Sequence, residues 1–265
     1  MRKRNSLAVA LFFVRSACAL GPSYAANGIV NASDFAAGPF APNSVMAIFG
    51  TALARSTHAL AADDLVTCAA TLQVTRCLPL EMNYVRVYVQ DQAVPMLFTS
   101  PGQVNFLMPT TEIAGPVKLR LVTEGLTGPE IMVTLVDSAP ALFSLPGGWA
   151  IVTDAAGKLL TPDAPAHTGD TVVVYITGLG RTSPNPSAGE LPVSMATMLA
   201  FGSLTVTLNG KAVNRDLLKY AGLTPGCAGL YQINLYLAEG TGDDPEIRVM
   251  AGGPPPSDGL KIPLR

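Results

Sequence analysis

The chain has 265 residues and a formal net charge of −2, with 14% of residues charged. That length suits two ordinary domains, and beyond its first four residues the chain has no basic block of the clustered Lys and Arg that nucleic-acid backbones require. Gly 25 and Pro 22 punctuate many short Val, Leu, Ile and Thr runs, so the class expected is all-β.

Arg2, Lys3 and Arg4 precede an apolar run, Leu7 to Val14, and Ser23-Tyr24-Ala25 places small residues where a signal peptidase reads them. This is the three-part plan of a secretory signal peptide over residues 1–25, with the cut expected after Ala25. A lipoprotein signal ending at Cys18 is the competing reading, weakened because Arg15 sits where a branched apolar residue is wanted. The apolar run is too short to cross a bilayer, and no later run is longer, so no membrane span is expected. Without Arg2, Lys3, Arg4 and Arg15, 13 Lys+Arg stand against 19 Asp+Glu, a net −6. The expected address is periplasmic, cell-surface or extracellular.

Further along, a strand is predicted over Ser44 to Phe49, ending at Gly50. Cys68 and Cys77 follow in a strand–turn–strand stretch, Leu65 to Leu78, and an oxidising compartment is expected to pair them. A hairpin then turns at Gln90-Asp91-Gln92, a Pro-Gly loop leads into Gln103-Val104-Asn105, and Val117 to Val122 pairs with Ile131 to Val136. The second half repeats the plan. Thr171 to Thr177 ends at Gly178, and a hairpin turns at Asn209-Gly210, the strongest short hairpin signal because both residues tolerate positive φ. Gln232-Ile233-Asn234 follows, and Glu246 to Met250 pairs with Leu260 to Leu264. Gln103 to Gln232 and Pro116 to Pro245 share an offset of 129 residues, so the repeating unit is a domain. The boundaries expected are 26–137 and 138–265, each a sandwich of about seven short strands.

The second half resembles the uncharacterised C-terminal module of secreted acidobacterial (Solibacter-type) proteins. The resemblance runs through Ser138 to Phe143, Val174-Tyr175-Ile176-Thr177-Gly178-Leu179-Gly180, Tyr220 to Gly226 and Gly229-Leu230-Tyr231-Gln232-Ile233-Asn234. The first half is similar to IPT/TIG-type modules through Val30 to Phe35, Val45 to Leu53 and Ser100 to Phe106. The resemblance implies two tandem immunoglobulin-like β-sandwiches, export, and no established activity. The Cys68–Cys77 segment departs from it, as does Cys227 where an apolar residue is expected.

Little in the sequence points to catalysis. His58 and His167 lie in loop-like contexts, without the further ligands a metal site needs or the Gly-x-Ser-x-Gly of a hydrolase elbow. Gly178-Leu179-Gly180 lacks the third glycine and following helix of a dinucleotide site. Asp63-Asp64 and Asp243-Asp244 are acidic loop pairs; weak Ca²⁺ binding by Asp243-Asp244 is set against a solvated turn. Asn31-Ala32-Ser33 fits a glycosylation sequon. Gln103 with Asn105, and Gln232 with Asn234, are expected to partner peptide groups of the turns that precede them. Cys227 is expected to be a small buried residue, with a reactive thiol as the rival.

Trp149, the single tryptophan, either stacks on a sugar face or packs at the seam between modules. No catalytic, cofactor-binding or metal residue is assigned. The leading reading is a non-catalytic binding or adhesion module for a polysaccharide or envelope protein. Its candidate loops are Arg55 to Asp64 and Arg181 to Thr197. The rivals are a structural spacer cut down from a larger protein and an unrecognised hydrolase.

Overall fold

The computed structural model describes residues 21–68, 75–111, 113–252 and 259–265. The expected basic cluster, the apolar run and Cys18 lie outside these residues, as does most of the turn between Gly252 and Gly259.

The first module opens with β1 (Ser23–Asn31), β2 (Val45–Thr51) and β3 (His58–Ala59). A small hairpin of β4 (Val66–Thr67) and β5 (Arg76–Cys77) follows. The remaining strands are β6 (Val85–Val89), β7 (Gln92–Ala93), β8 (Met96–Thr99), β9 (Gln103–Leu107), β10 (Gly115–Thr123), β11 (Leu126–Thr127) and β12 (Ile131–Leu135). One sheet runs β1-β2-β9-β8-β3; the other runs β11-β10-β6-β7, with β12 also on β10. Strict alternation makes the core. In β10, Val117, Leu119 and Leu121 are buried, whereas Pro116 and Lys118 face water. They meet Met46, Ile48, Val104 and Phe106 from the facing sheet.

The second module repeats this. Its short leading strands are β13 (Ala141–Leu142), β14 (Ser144–Leu145), β15 (Trp149–Ala150) and β16 (Val152–Thr153). Then come β17 (Thr171–Thr177), β18 (Thr182–Ser183), β19 (Ala196–Met198), β20 (Leu204–Leu208) and β21 (Lys211–Ala212). Last are β22 (Leu218–Leu223), β23 (Tyr231–Tyr236), β24 (Glu246–Ala251) and β25 (Leu260–Lys261). One sheet runs β13-β17-β23-β22-β19-β18, with β16 on β17; the other runs β14-β15-β25-β24-β20-β21. Val172, Val174, Ile233 and Leu235 pack against Val206, Ile247 and Val249.

Both modules share a sheet order. The first, second, fifth and fourth principal strands form one sheet; the seventh, sixth and third form the other, with a short extra edge strand. That is the immunoglobulin-like arrangement. The protein is all-β, two tandem immunoglobulin-like sandwiches. The internal repeat superposes β2 on β17, β6 on β20, β9 on β23 and β10 on β24 in this order. Asn209 and Gly210 both take positive φ, 50° and 75°, as the Asn-Gly turn requires.

Ala25, after which the cut is expected, lies inside β1, where Ser23 pairs with Thr51 and Tyr24 with Gly50. Tyr24 is buried at 8% exposure, so residues 23–25 are part of the first sandwich. Small residues at 23 and 25 satisfy a peptidase pattern, but here they are outward positions flanking a core side chain.

Candidate functional site

The two modules do not hang on a loose tether. After β12 the chain crosses at residues 136–140 and lies along Gly178-Leu179-Gly180, where Ala139 N donates to Gly178 O at 2.9 Å. Both glycines take positive φ, 77° and 82°, and a Cβ on either would collide with a linker carbonyl, that of Ala139 or of Asp137. The Gly-x-Gly pattern is therefore the bed of the linker. Beside it, fully buried Tyr231 donates its hydroxyl to Gly180 O and accepts from Asn43 Nδ2 of the first module at 3.2 Å. Val45 N donates to Thr177 Oγ1 at 3.2 Å, and Thr177 Oγ1 donates to Gly229 O at 3.0 Å.

The disulfide hairpin closes the same seam from another side. Cys68 and Cys77 are bonded, as expected, across β4 and β5. Leu78 N donates to Gly189 O at 2.9 Å, and Leu191 N donates to Arg76 O at 2.9 Å, so a segment of the second module pairs with the hairpin. The Arg76 guanidinium reaches Ala62 O at 3.0 Å and Leu65 O at 3.3 Å. Both loops nominated from sequence, 55–64 and 181–197, are thus held against the hairpin. Val193 and Met195 remain exposed beyond it.

Trp149 is not at this seam. Ala150 next to it is fully buried, so the indole points to the outer face of the second module. Trp149 pairs with Lys261, whose Nζ lies 5.7 Å from the ring centroid. On the next strand Lys261 faces Glu246, and Glu246 Oε1 accepts from Arg248 Nε at 2.7 Å. Inward Ile247, Val249 and Ile262 alternate with these residues. The result is a flat row of a half-buried indole, an ammonium, a carboxylate and a guanidinium across three strands. The Arg248 pair holds the Glu246 carboxyl below its ordinary range. This row lies toward the Glu246 end of β24; the other end, Ala251, accepts from Ser138 Oγ in the linker.

Other sequence expectations resolve as follows. Gln103 Nε2 donates to Asn105 Oδ1 at 2.9 Å, and Gln232 Nε2 to Asn234 Oδ1 at 2.8 Å. These side chains bond each other on the half-exposed outer face instead of capping turn peptides, because residues two apart share one face of a strand. Cys227 is exposed and free, contrary to the buried reading, because Gly226 at φ 81° turns the chain tip outward. Partial desolvation raises its thiol, which disfavours a reactive thiolate. His58 sits on β3 with Nε2 at 3.0 Å from Asp64 Oδ2; His167 is an exposed loop residue whose N donates to Asp170 at 2.8 Å. Asp244 is ion-paired with Arg265 and accepts from Leu264 N at 3.3 Å, so it closes the C-terminal strand. Among the described residues no group of three or more His, Cys, Asp or Glu is placed to hold a metal, and no helix is long and apolar enough to cross a membrane.

The depressions that the described residues form include the following three. One of about 600 Å³ lies between β1 and β12, lined by Ile29, Phe40 and Met132. Another, about 460 Å³, lies by Tyr236, Lys211 and Glu239. The third, about 560 Å³, lies at the linker by Asp137, Ser138 and Ser203. No histidine or cysteine lines any of the three.

Burial raises the phenols of Tyr24, Tyr220 and Tyr231 above the ordinary value near 10. A raised acid stays protonated when folded at a pH where the unfolded chain ionises, so stability falls as pH rises past about 10. The midpoint of urea unfolding is expected to be flat from pH 7 to about 9.5 and to drop steeply above about 10.5. Phe in place of Tyr231 should flatten part of that drop.

No family model matches this chain, and no curated protein resembles it in sequence. Among solved structures, the chain is similar to a titin A168–A169 fragment at 11% identity, covering 93% of this chain and all of that one, with a TM-score of 0.28. A titin I9–I11 tandem gives 8% identity over 92% of this chain and 65% of that one, with a TM-score of 0.23. The tandem Ig repeats of Dlar give 9% identity over 93% and 95%, with a TM-score of 0.18. The sheet order of this chain defines its class, a two-module immunoglobulin-like sandwich.

Proposed function

We propose that this is an exported, non-catalytic binding protein that presents the outer face of its second module to an extracellular polysaccharide. The observation that carries the reading is the Trp149 row. An indole beside a cation on a flat sheet face suits a sugar ring, whose apolar face stacks while its hydroxyl or carboxylate groups meet Lys261, Glu246 and Arg248. Export is supported by the Cys68–Cys77 bond, which is stable in oxidising compartments. The resemblance to secreted acidobacterial modules points the same way. The locked seam favours a second reading, a rigid spacer, which would show no retention on any matrix.

The test is retention of the purified protein on insoluble polysaccharides and on cell envelopes, beside Trp149→Ala and Val193→Ser. Trp149→Ala is expected to weaken binding by roughly tenfold or more, the loss typical of a central aromatic contact, while Val193→Ser binds normally. Loss in Val193→Ser alone would move the site to the seam loops and to a protein partner.

A further inference from the structure

The buried place of Tyr24 relocates the end of the leader, a step that rests on the export reading above. Tyr24 Oη accepts from Leu121 N at 2.7 Å and donates to Pro129 O at 2.6 Å, joining β1 to the opposite sheet. Gly128 and Gly50 leave room for this ring and strand: a Cβ on Gly128 would meet the Tyr24 ring at 2.7 Å, and one on Gly50 would strike Ser23 O. Pro22 is buried as well. A peptidase that cut after Ala25 would remove a core side chain and leave Leu121 N without its partner, which costs about 1–3 kcal/mol for the amide alone.

The sequence holds a second small-x-small pattern that avoids this cost. Ala17-Cys18-Ala19 follows the apolar run Leu7 to Val14 by two residues, with Arg15 and Ser16 as a short polar approach. We infer that the export-linked signal endopeptidase hydrolyses the Ala19–Leu20 bond. Water supplies the hydroxyl that leaves Ala19 as a carboxylate, and the Leu20 nitrogen becomes the new amino terminus. Cys18 leaves with the leader, so it anchors no lipid, and Ser23, Tyr24 and Ala25 enter β1. The four basic residues of the leader all precede Ala19, so the mature charge is unchanged.

The experiment is to express the full chain with its own leader in a Gram-negative host and to read the N-terminus and intact mass of the exported fraction. Ala19→Lys and Ala25→Lys chains run alongside; Ala25 is exposed, so the lysine is tolerated by the fold. The expected result is a mature chain starting at Leu20. Ala19→Lys should accumulate as precursor, and Ala25→Lys should be processed like the parent. A start at Ala26, a block by Ala25→Lys, or a lipid-modified Cys18 at the N-terminus each overturns the assignment. A cytoplasmic chain still carrying residues 1–19 in the parent overturns export itself, an outcome distinct from a cut at the wrong bond.

Discussion

Gly178→Ala is expected to lower the stability of the whole protein by at least about 3 kcal/mol, whereas Gly210→Ala costs only about 1–2 kcal/mol. Both glycines sit at nearly the same positive φ, 77° and 75°, so the backbone penalty for a side chain is shared. They differ in surroundings. Nothing lies within 4 Å of a Cβ on Gly210, but one on Gly178 strikes the Ala139 carbonyl and touches Ser44 Oγ at 3.4 Å. Relief would need the linker to lift from its bed, breaking the Ala139–Gly178 bond and opening the Tyr231–Asn43 contact. Urea unfolding followed by far-ultraviolet dichroism checks this. Equal losses in the two variants would mean that the linker does not lie where the structure places it.

Replacing Cys68 and Cys77 together with serine is expected to cost roughly 2–3 kcal/mol, the chain-entropy value for so short a loop. A chain of this size then melts roughly 5–10 °C lower. The hairpin carries main-chain bonds to Gly189 and Leu191, so the loss should also appear in hydrogen exchange of the Leu78 and Leu191 amides. Faster exchange confined to the hairpin, with an unchanged melting temperature, would show that this corner lies outside the cooperative unit.

Much of the architecture was readable because period-two alternation and turn chemistry are local. The strands around Thr171–Thr177, Gln232–Asn234 and the Asn209-Gly210 turn follow from residues within a few positions of each other. The Cys68–Cys77 bond also followed from short spacing. The first strand did not, since Ser23-Tyr24-Ala25 satisfies a peptidase pattern as well as an edge strand. The strand itself depends on distant partners of Tyr24, Leu121 and Pro129, which no local pattern reveals. Gly178-Leu179-Gly180 carried too little to name its role, because what it supports is a linker about forty residues earlier in the chain. Trp149 stood out in the sequence as the single tryptophan, but its side of the sheet depends on Ala150 facing a core assembled from β20 and β24. Cys227 was misread because a thiol's apolar character says nothing about whether a Pro-Gly turn points outward.

The central claim is that the two sandwiches act as one rigid body, with the hairpin, linker and Tyr231 locking the seam. Backbone ¹⁵N relaxation on the purified protein tests this most directly. The structure predicts one common rotational correlation time for amides of both modules, matching a single particle of the whole chain's mass. Two distinct, shorter times, one for each module, would contradict it.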